Sequence, residues 1–263
     1  MSRTLVMGIL NITPDSFYDG GKYKNESEIL IQTEKMLSDG ATFIDIGAYS
    51  SRPGAKHISE EEELERIIPV VKLLIEKFPG ILISVDTFRS KVAKETIEIG
   101  AALINDISGG KMDENMFKTI AELQVPYILM HMRGTPKTMA SLNTYTNLIL
   151  DILSELQVKI KCLNELGLND LIIDPGLGFA KDLEQNYKIV KHLKSFECLG
   201  HPLLIGASRK SMVYKLLKTT AAQALNGSTV IHTASLLNGA SILRVHDVKA
   251  AVEAVKITNL LKN

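Results

Sequence analysis

The sequence predicts an α/β protein: a single (β/α)8 barrel of the TIM type with its active site at the C-terminal ends of the strands. Three observations predict it. Apolar runs of strand length alternate with segments of helical period along the whole chain. The strand runs lack in/out alternation, as strands buried on both faces should. A polar residue follows nearly every run.

The expected strands are Leu5–Leu10, Phe43–Ile46, Ile81–Val85, Ala102–Ile104, Tyr127–Met130, Leu171–Ile173, Leu203–Ile205 and Ile242–Val245. Between them lie helices with recognisable ends. Ser59 and Glu62 have capping-box spacing, and Leu64, Ile67, Ile68, Val71, Leu74 and Ile75 follow at helical period, with Pro69 expected to bend the helix. Asn25 with Glu28 reads as a similar start, Asp113 and Asp247 as N-caps, and Gly40, Gly100 and Gly167 as stops. The acidic run Glu60–Glu63 is an ordinary first turn favoured by the helix dipole. Gly40–Asp45, Gly100–Asn105 and Gly239–Arg244 repeat one pattern: stop, strand, polar residue. An open doubly wound sheet is the alternative, weakened by the lack of G-x-G-x-x-G after the first strand. No linker or low-complexity stretch divides residues 1–263, so one domain is expected.

Bulk properties narrow the function. The 263 residues are 45% hydrophobic and 23% charged, with 30 Lys plus Arg against 30 Asp plus Glu. A neutral chain has no global field for nucleic acid or an anionic membrane, so an anion must be held by a local cluster. Cys162 and Cys198 lack metal or disulfide spacing and read as reduced thiols of a cytoplasmic protein. The apolar run ending at Asn11 is too short for a signal segment or a membrane span, and no later run is longer.

At the strand ends stand Asn11, the loop 13–21, the loop 50–54, Asp86, Asn105 with Asp106, His131, Asp174–Phe179, Ser208–Ser211, and Arg244 with His246. Each alone is as readily a cap or a paired charge; Asp106 in particular suits a loop-holding role. Burying so many polar groups beside an apolar barrel costs several kcal/mol for each unpaired charge, so together they indicate a ligand site. Asp86, Asn105, Asp174 and Lys210 supply carboxylates for paired N–H donors and a cation for a carbonyl edge. Asn11, Arg244 and His246 form a corner for an anion and a metal. The chemistry is that of a flat heterocycle carrying a phosphate-like group.

Eight collinear segments resemble dihydropteroate synthases: Met7–Phe17 with Asp19-Gly20-Gly21; Asp45-Ile46-Gly47 with Ser51-Arg52-Pro53-Gly54; Ser84–Thr87; Ile104–Ile107; Met130-His131-Met132 with Gly134-Thr135-Pro136; Asp174–Phe179; Gly206–Ser211; and Arg244–Asp247. The resemblance spans nearly the whole chain. It implies a magnesium-dependent transferase of folate biosynthesis, a sulfonamide target, that joins a dihydropterin pyrophosphate to p-aminobenzoate.

It also implies roles. Asp86, Asn105, Asp174 and Lys210 hold the pterin, with Met130 and Phe179 packed against it. Asn11 coordinates Mg2+ on the pyrophosphate, whose oxygens Arg52, Arg244 and His246 bind. Phe17, Ser51, Arg52, Pro53, Lys210 and Ser211 form the p-aminobenzoate pocket, Ser211 through a helix N-terminus. Ser51 stands where many members carry threonine; it keeps the hydroxyl and loses a methyl contact. Asp86, Asp19, Arg52 and Lys210 carry catalysis, the two aspartates by stabilising a pterin methylene cation. His131, Lys22 and Tyr18 are not assigned to catalysis, and His57, His192, His201 and His232 have no motif around them. A homodimer is implied, with 144–166 and the C-terminal helices as possible faces. The rival readings are a pterin-binding methyltransferase domain of the corrinoid-dependent type and a non-catalytic pterin-binding barrel.

Overall fold

The computed structural model describes residues 4–12, 22–49 and 57–262. Eight parallel strands alternate with helices: β1 (Leu5–Asn11), α1 (Lys22–Ser38), β2 (Phe43–Gly47), α2 (Glu60–Lys77), β3 (Ile83–Asp86), α3 (Ser90–Glu98), β4 (Leu103–Asp106), α4 (Met116–Leu123), β5 (Tyr127–Met130), α5 (Leu148–Glu165), β6 (Leu171–Asp174), α6 (Leu183–Lys191), β7 (Leu204–Ile205), α7 (Ser211–Tyr214), α8 (Leu225–Leu237), β8 (Ile242–Val245) and α9 (Val248–Lys262). The strand order is β6-β5-β4-β3-β2-β1-β8-β7, and a parallel bridge between Ile173 and Leu203 closes β6 onto β7. This is the barrel the sequence predicts. Among the described residues no helix is long and apolar enough to cross a membrane.

The strands are buried on both faces, but the two faces differ. Val6, Leu10, Ile44, Ile46, Ile83, Val85, Ile104, Ile173, Ile205, Leu243 and Val245 pack outward with the helices in the main core. Met7, Leu103, Ile128, Ile172, Leu204 and Ile242, with Leu5, Phe43 and Ala102, form a separate apolar cluster inside the barrel. Alternation along a strand has a period of two, so the next inward positions are Asp45, Asn105, Met130, Asp174, Gly206 and Arg244. An apolar floor therefore lies directly beneath a largely polar rim.

The helix ends mostly follow the expected chemistry. Ser59 Oγ accepts from the backbone N–H of Glu62, and Pro69 lies within α2 without interrupting it. Gly40, Gly100 and Gly167 take positive φ after their helices. Two caps differ. Helix α1 begins at Lys22, which puts Asn25 inside it rather than at its start. Asp113 precedes α4, but its carboxylate accepts from the backbone N–H of Ser90 (2.7 Å) and Asn115 (2.9 Å), so it also fastens the start of α3. Asp247 stands directly before α9, and its carboxylate is taken by Arg209.

Candidate active site

Buried Asp45 organises the rim. It accepts from Ser84 Oγ (2.5 Å), Asn105 Nδ2 (3.3 Å) and Arg244 Nε (2.6 Å). Arg244 Nη2 also reaches Asp86 (2.7 Å). Four strands are thereby joined: β2 by Asp45, β3 by Ser84 and Asp86, β4 by Asn105 and β8 by Arg244. Burial pushes the Asp86 carboxyl up to about 7, against the pull of the Arg244 guanidinium and with the push of Asp45. The two aspartates hold the Arg244 guanidinium firmly in its charged form, outweighing burial.

Across the barrel mouth, burial raises the Asp174 carboxyl, while Lys210 beside it and the backbone N–H of Gly176 oppose that shift. Lys210 Nζ donates to the carbonyl of Leu177 (2.6 Å) and lies 4.8 Å from the centroid of the Phe179 ring. Burial lowers its ammonium to about 8, against the attraction of Asp174. A Cβ placed on Gly206 would lie 3.8 Å from Lys210 Nζ and 4.0 Å from Arg244 Cβ, so the two cationic side chains flank one small opening. Met130 and Phe179 belong to an apolar cluster with Phe88, Ile107, Met132, Met139 and Ala180, which forms a wall beside the charged groups. The site thus offers carboxylates, an amide, a cation and an apolar wall, the complement of a flat heteroaromatic ring.

The loop after β7 owes its shape to Arg209, a non-glycine residue at φ 55°. Its guanidinium makes a two-pronged pair with Asp247 (2.8 and 2.7 Å), and its backbone N–H donates to Ser228. This staple between β7 and β8 holds a backbone conformation that L residues rarely adopt and sets Lys210 directly after it. Ser208 Oγ accepts from the backbone N–H of His246 (3.1 Å) and lies 3.2 Å from His246 Nδ1.

The sequence-predicted residues Asn11, Asp86, Asn105, Met130, Asp174, Phe179, Lys210, Arg244 and His246 all stand at the C-terminal ends of strands or in the loops after them. Phe17, Asp19, Ser51, Arg52 and Pro53 lie outside the described residues. Ser211 follows Lys210, is exposed and opens the short helix α7. Asp106 holds a loop, as expected: it accepts from the backbone N–H of Ser108 (2.7 Å) and Gly110 (2.8 Å) and from Tyr127 OH (2.6 Å). Sequence reasoning gave no role to Asp45 or Ser84; a charge in the middle of the run Phe43–Gly47 was the available signal.

Residues 7–246 match the family model of pterin binding enzymes. The chain belongs to the dihydropteroate synthase family. Dihydropteroate synthase of Bacillus subtilis is 41% identical to it, over 99% of this chain and 90% of that one. The mitochondrial folate synthesis bifunctional protein of Pisum sativum is 44% identical over 98% of this chain, which spans 53% of the pea protein. A crystal structure of Yersinia pestis dihydropteroate synthase with a sulfonamide drug complex superposes with a TM-score of 0.93 at 44% identity, covering 99% of this chain and 95% of that one. Membership of this family makes the chain a transferase of folate biosynthesis.

Proposed function

We propose that the chain condenses a 6-hydroxymethyl-7,8-dihydropterin pyrophosphate with p-aminobenzoate to give 7,8-dihydropteroate and pyrophosphate. The observation that carries this reading is the rim itself: Asp86, Asn105, Asp174 and Lys210 converge on one mouth beside the apolar wall of Met130 and Phe179. The two carboxylates accept the ring's paired N–H donors, and Lys210 exchanges the Leu177 carbonyl for the ring's carbonyl edge.

The bond between the pterin methylene and the diphosphate oxygen breaks, and its electron pair leaves with pyrophosphate. The arylamine nitrogen forms the new C–N bond and then releases its proton. Asp86 lies where a negative charge stabilises the methylene cation; Asp19 shares that role in this reading. Arg52, Arg244 and His246 receive the leaving group. Arg244 enters this step already paired with two aspartates, so its role toward pyrophosphate draws on a guanidinium that also ties the rim together. Phe17, Ser51, Arg52, Pro53 and Ser211 take p-aminobenzoate, and sulfonamides compete for that pocket.

Among the described residues no group of three His, Cys, Asp or Glu is arranged to hold a metal. Magnesium commonly arrives on phosphate oxygens and needs only one or two protein ligands. Asn11, at the end of β1 beside Gly47, would supply one. Held there, magnesium would supply positive charge to the departing diphosphate.

The methyltransferase alternative shares the ring-holding residues, but Arg244 in β8 and His246 directly after it are donors suited to a diphosphate substrate. A cytoplasmic setting and a homodimer complete the proposal. The dimer draws support from exposed Leu216, Leu217, Val230, Leu237, Leu260 and Leu261 on the C-terminal helices and the loop after α7. Incubation with the pterin pyrophosphate, p-aminobenzoate and Mg2+ tests the function. Dihydropteroate and pyrophosphate appear in equal amounts; pterin binding without either product contradicts it.

A further inference from the structure

Beneath the Asp174–Phe179 loop lies a polar chain that the proposed reaction does not use. Lys181 Nζ donates to the carbonyls of Phe179 (2.9 Å) and His131 (3.4 Å) and lies 3.0 Å from His131 Nδ1. His131 Nε2 is 3.2 Å from Glu155, whose other carboxylate oxygen accepts from Arg133 Nε (2.8 Å) and Nη2 (2.6 Å). These partners define the tautomer: Nε2 carries the proton toward Glu155 and Nδ1 accepts from the ammonium. Burial lowers the His131 imidazolium to about 4, so the ring is neutral near pH 7.

The loop folds directly onto this chain. Gly176 has φ 73°, and a Cβ there would come within 2.1 Å of the His131 carbonyl oxygen and 3.4 Å of Lys181 Nζ. From the outer side Tyr145 OH donates to the Ala180 carbonyl (2.9 Å), and Asn186 Oδ1 accepts from the Gly178 N–H (2.7 Å). Asp174 is the chief attractive charge facing Lys181; Glu155 adds to it, while Lys210 and Arg133 repel. Burial brings the Lys181 ammonium down to about 7 against those attractions.

We propose that Lys181 is a positioning residue of the pterin site. Its ammonium grips the Phe179 carbonyl and joins Lys210 in attracting the Asp174 carboxylate. The loop is thereby fixed with the Asp174 carboxylate, the Leu177 carbonyl and the Phe179 ring turned toward one ligand plane. His131 is the acceptor that aims the ammonium, and Glu155 with Arg133 anchors His131 from the surface. This inference rests on the pterin reading above.

The test compares wild type with Lys181→Met in the coupled assay and by direct binding of 6-hydroxymethylpterin. Expected is a rise of about fivefold or more in KM for the pterin pyrophosphate, with kcat within about threefold and the p-aminobenzoate KM within about twofold. The free pterin loses affinity by a similar factor. A folded Lys181→Met protein whose pterin affinity stays within about twofold overturns the proposal, as does a parallel loss in kcat and both KM values. Should that variant fail to fold, His131→Asn and His131→Leu decide. Asparagine keeps an acceptor near the Nδ1 position and retains pterin affinity, leucine lowers it, and equal affinities overturn the proposal. Absence of turnover by the wild type, with pterin affinity still falling in Lys181→Met, would sink the reaction assigned above and leave the positioning role standing.

Discussion

Two residues along a strand separate the apolar floor of the barrel from its polar rim: Phe43 from Asp45, Leu103 from Asn105, Ile172 from Asp174, Ile242 from Arg244. The same backbone serves both layers. In the floor each side chain leaves water for an apolar neighbour, a gain of roughly 1.5–3 kcal/mol per residue. In the rim the charges are held against their desolvation cost, compensated by pairing, and two of them titrate near neutral pH as a result. The floor supplies stability and the rim supplies a prearranged electrostatic surface. Mutations in the two layers are therefore expected to separate folding from turnover.

Arg244→Met should have the largest effect, because it strands Asp45 and Asp86 without their shared counterion. Unfolding in urea should show a loss of about 3–5 kcal/mol, with turnover abolished; a loss below about 1 kcal/mol would mean the pair does not hold the rim. Leu103→Ala, two residues below Asn105, should cost about 2–5 kcal/mol of stability while kcat stays within about threefold. A large fall in kcat at unchanged substrate affinity would break the division between the layers. The pH dependence is gentler. Asp86 becomes charged as pH rises through about 7, and Lys210 loses its charge as pH rises through about 8. A plot of kcat/KM should climb as Asp86 ionises and decline as first Lys181 and then Lys210 lose their charges, the Lys181 ammonium being brought down to about 7. A flat profile between pH 6 and 9 would contradict the titrations assigned to these groups.

The sequence made much of this legible, and its failures have physical causes. Tyr127–Met130 and Ile242–Val245 were readable to the residue, because turns and polar residues bracket them closely. Strand β3 begins at Ile83 although the apolar run starts at Ile81, since the Ile81 N–H bonds back to the Phe78 carbonyl and not to a neighbouring strand. The rim residues were recognisable by their place at strand ends. Their pairing was not: Arg244 and Asp45 are 199 positions apart and meet only when the barrel closes. Asp45 is legible as a polar residue near a strand end, but its role as the shared acceptor of Ser84, Asn105 and Arg244 depends on three other strands. The period-two step from Phe43 to Asp45 marks the residue but not these partners. Arg209 shows the same limit, since a left-handed arginine held by Asp247 has no local signature.

The central claim is that charge on the rim, not its shape, drives departure of the diphosphate, and Asp86→Asn tests it most directly. Asparagine preserves the outline and removes the charge that Asp86 acquires above about pH 7. Measured at pH 8 with saturating substrates, turnover should fall by about tenfold or more, equivalent to roughly 1.4 kcal/mol of barrier, and its rise with pH should disappear. A smaller fall with the rise intact would contradict the account.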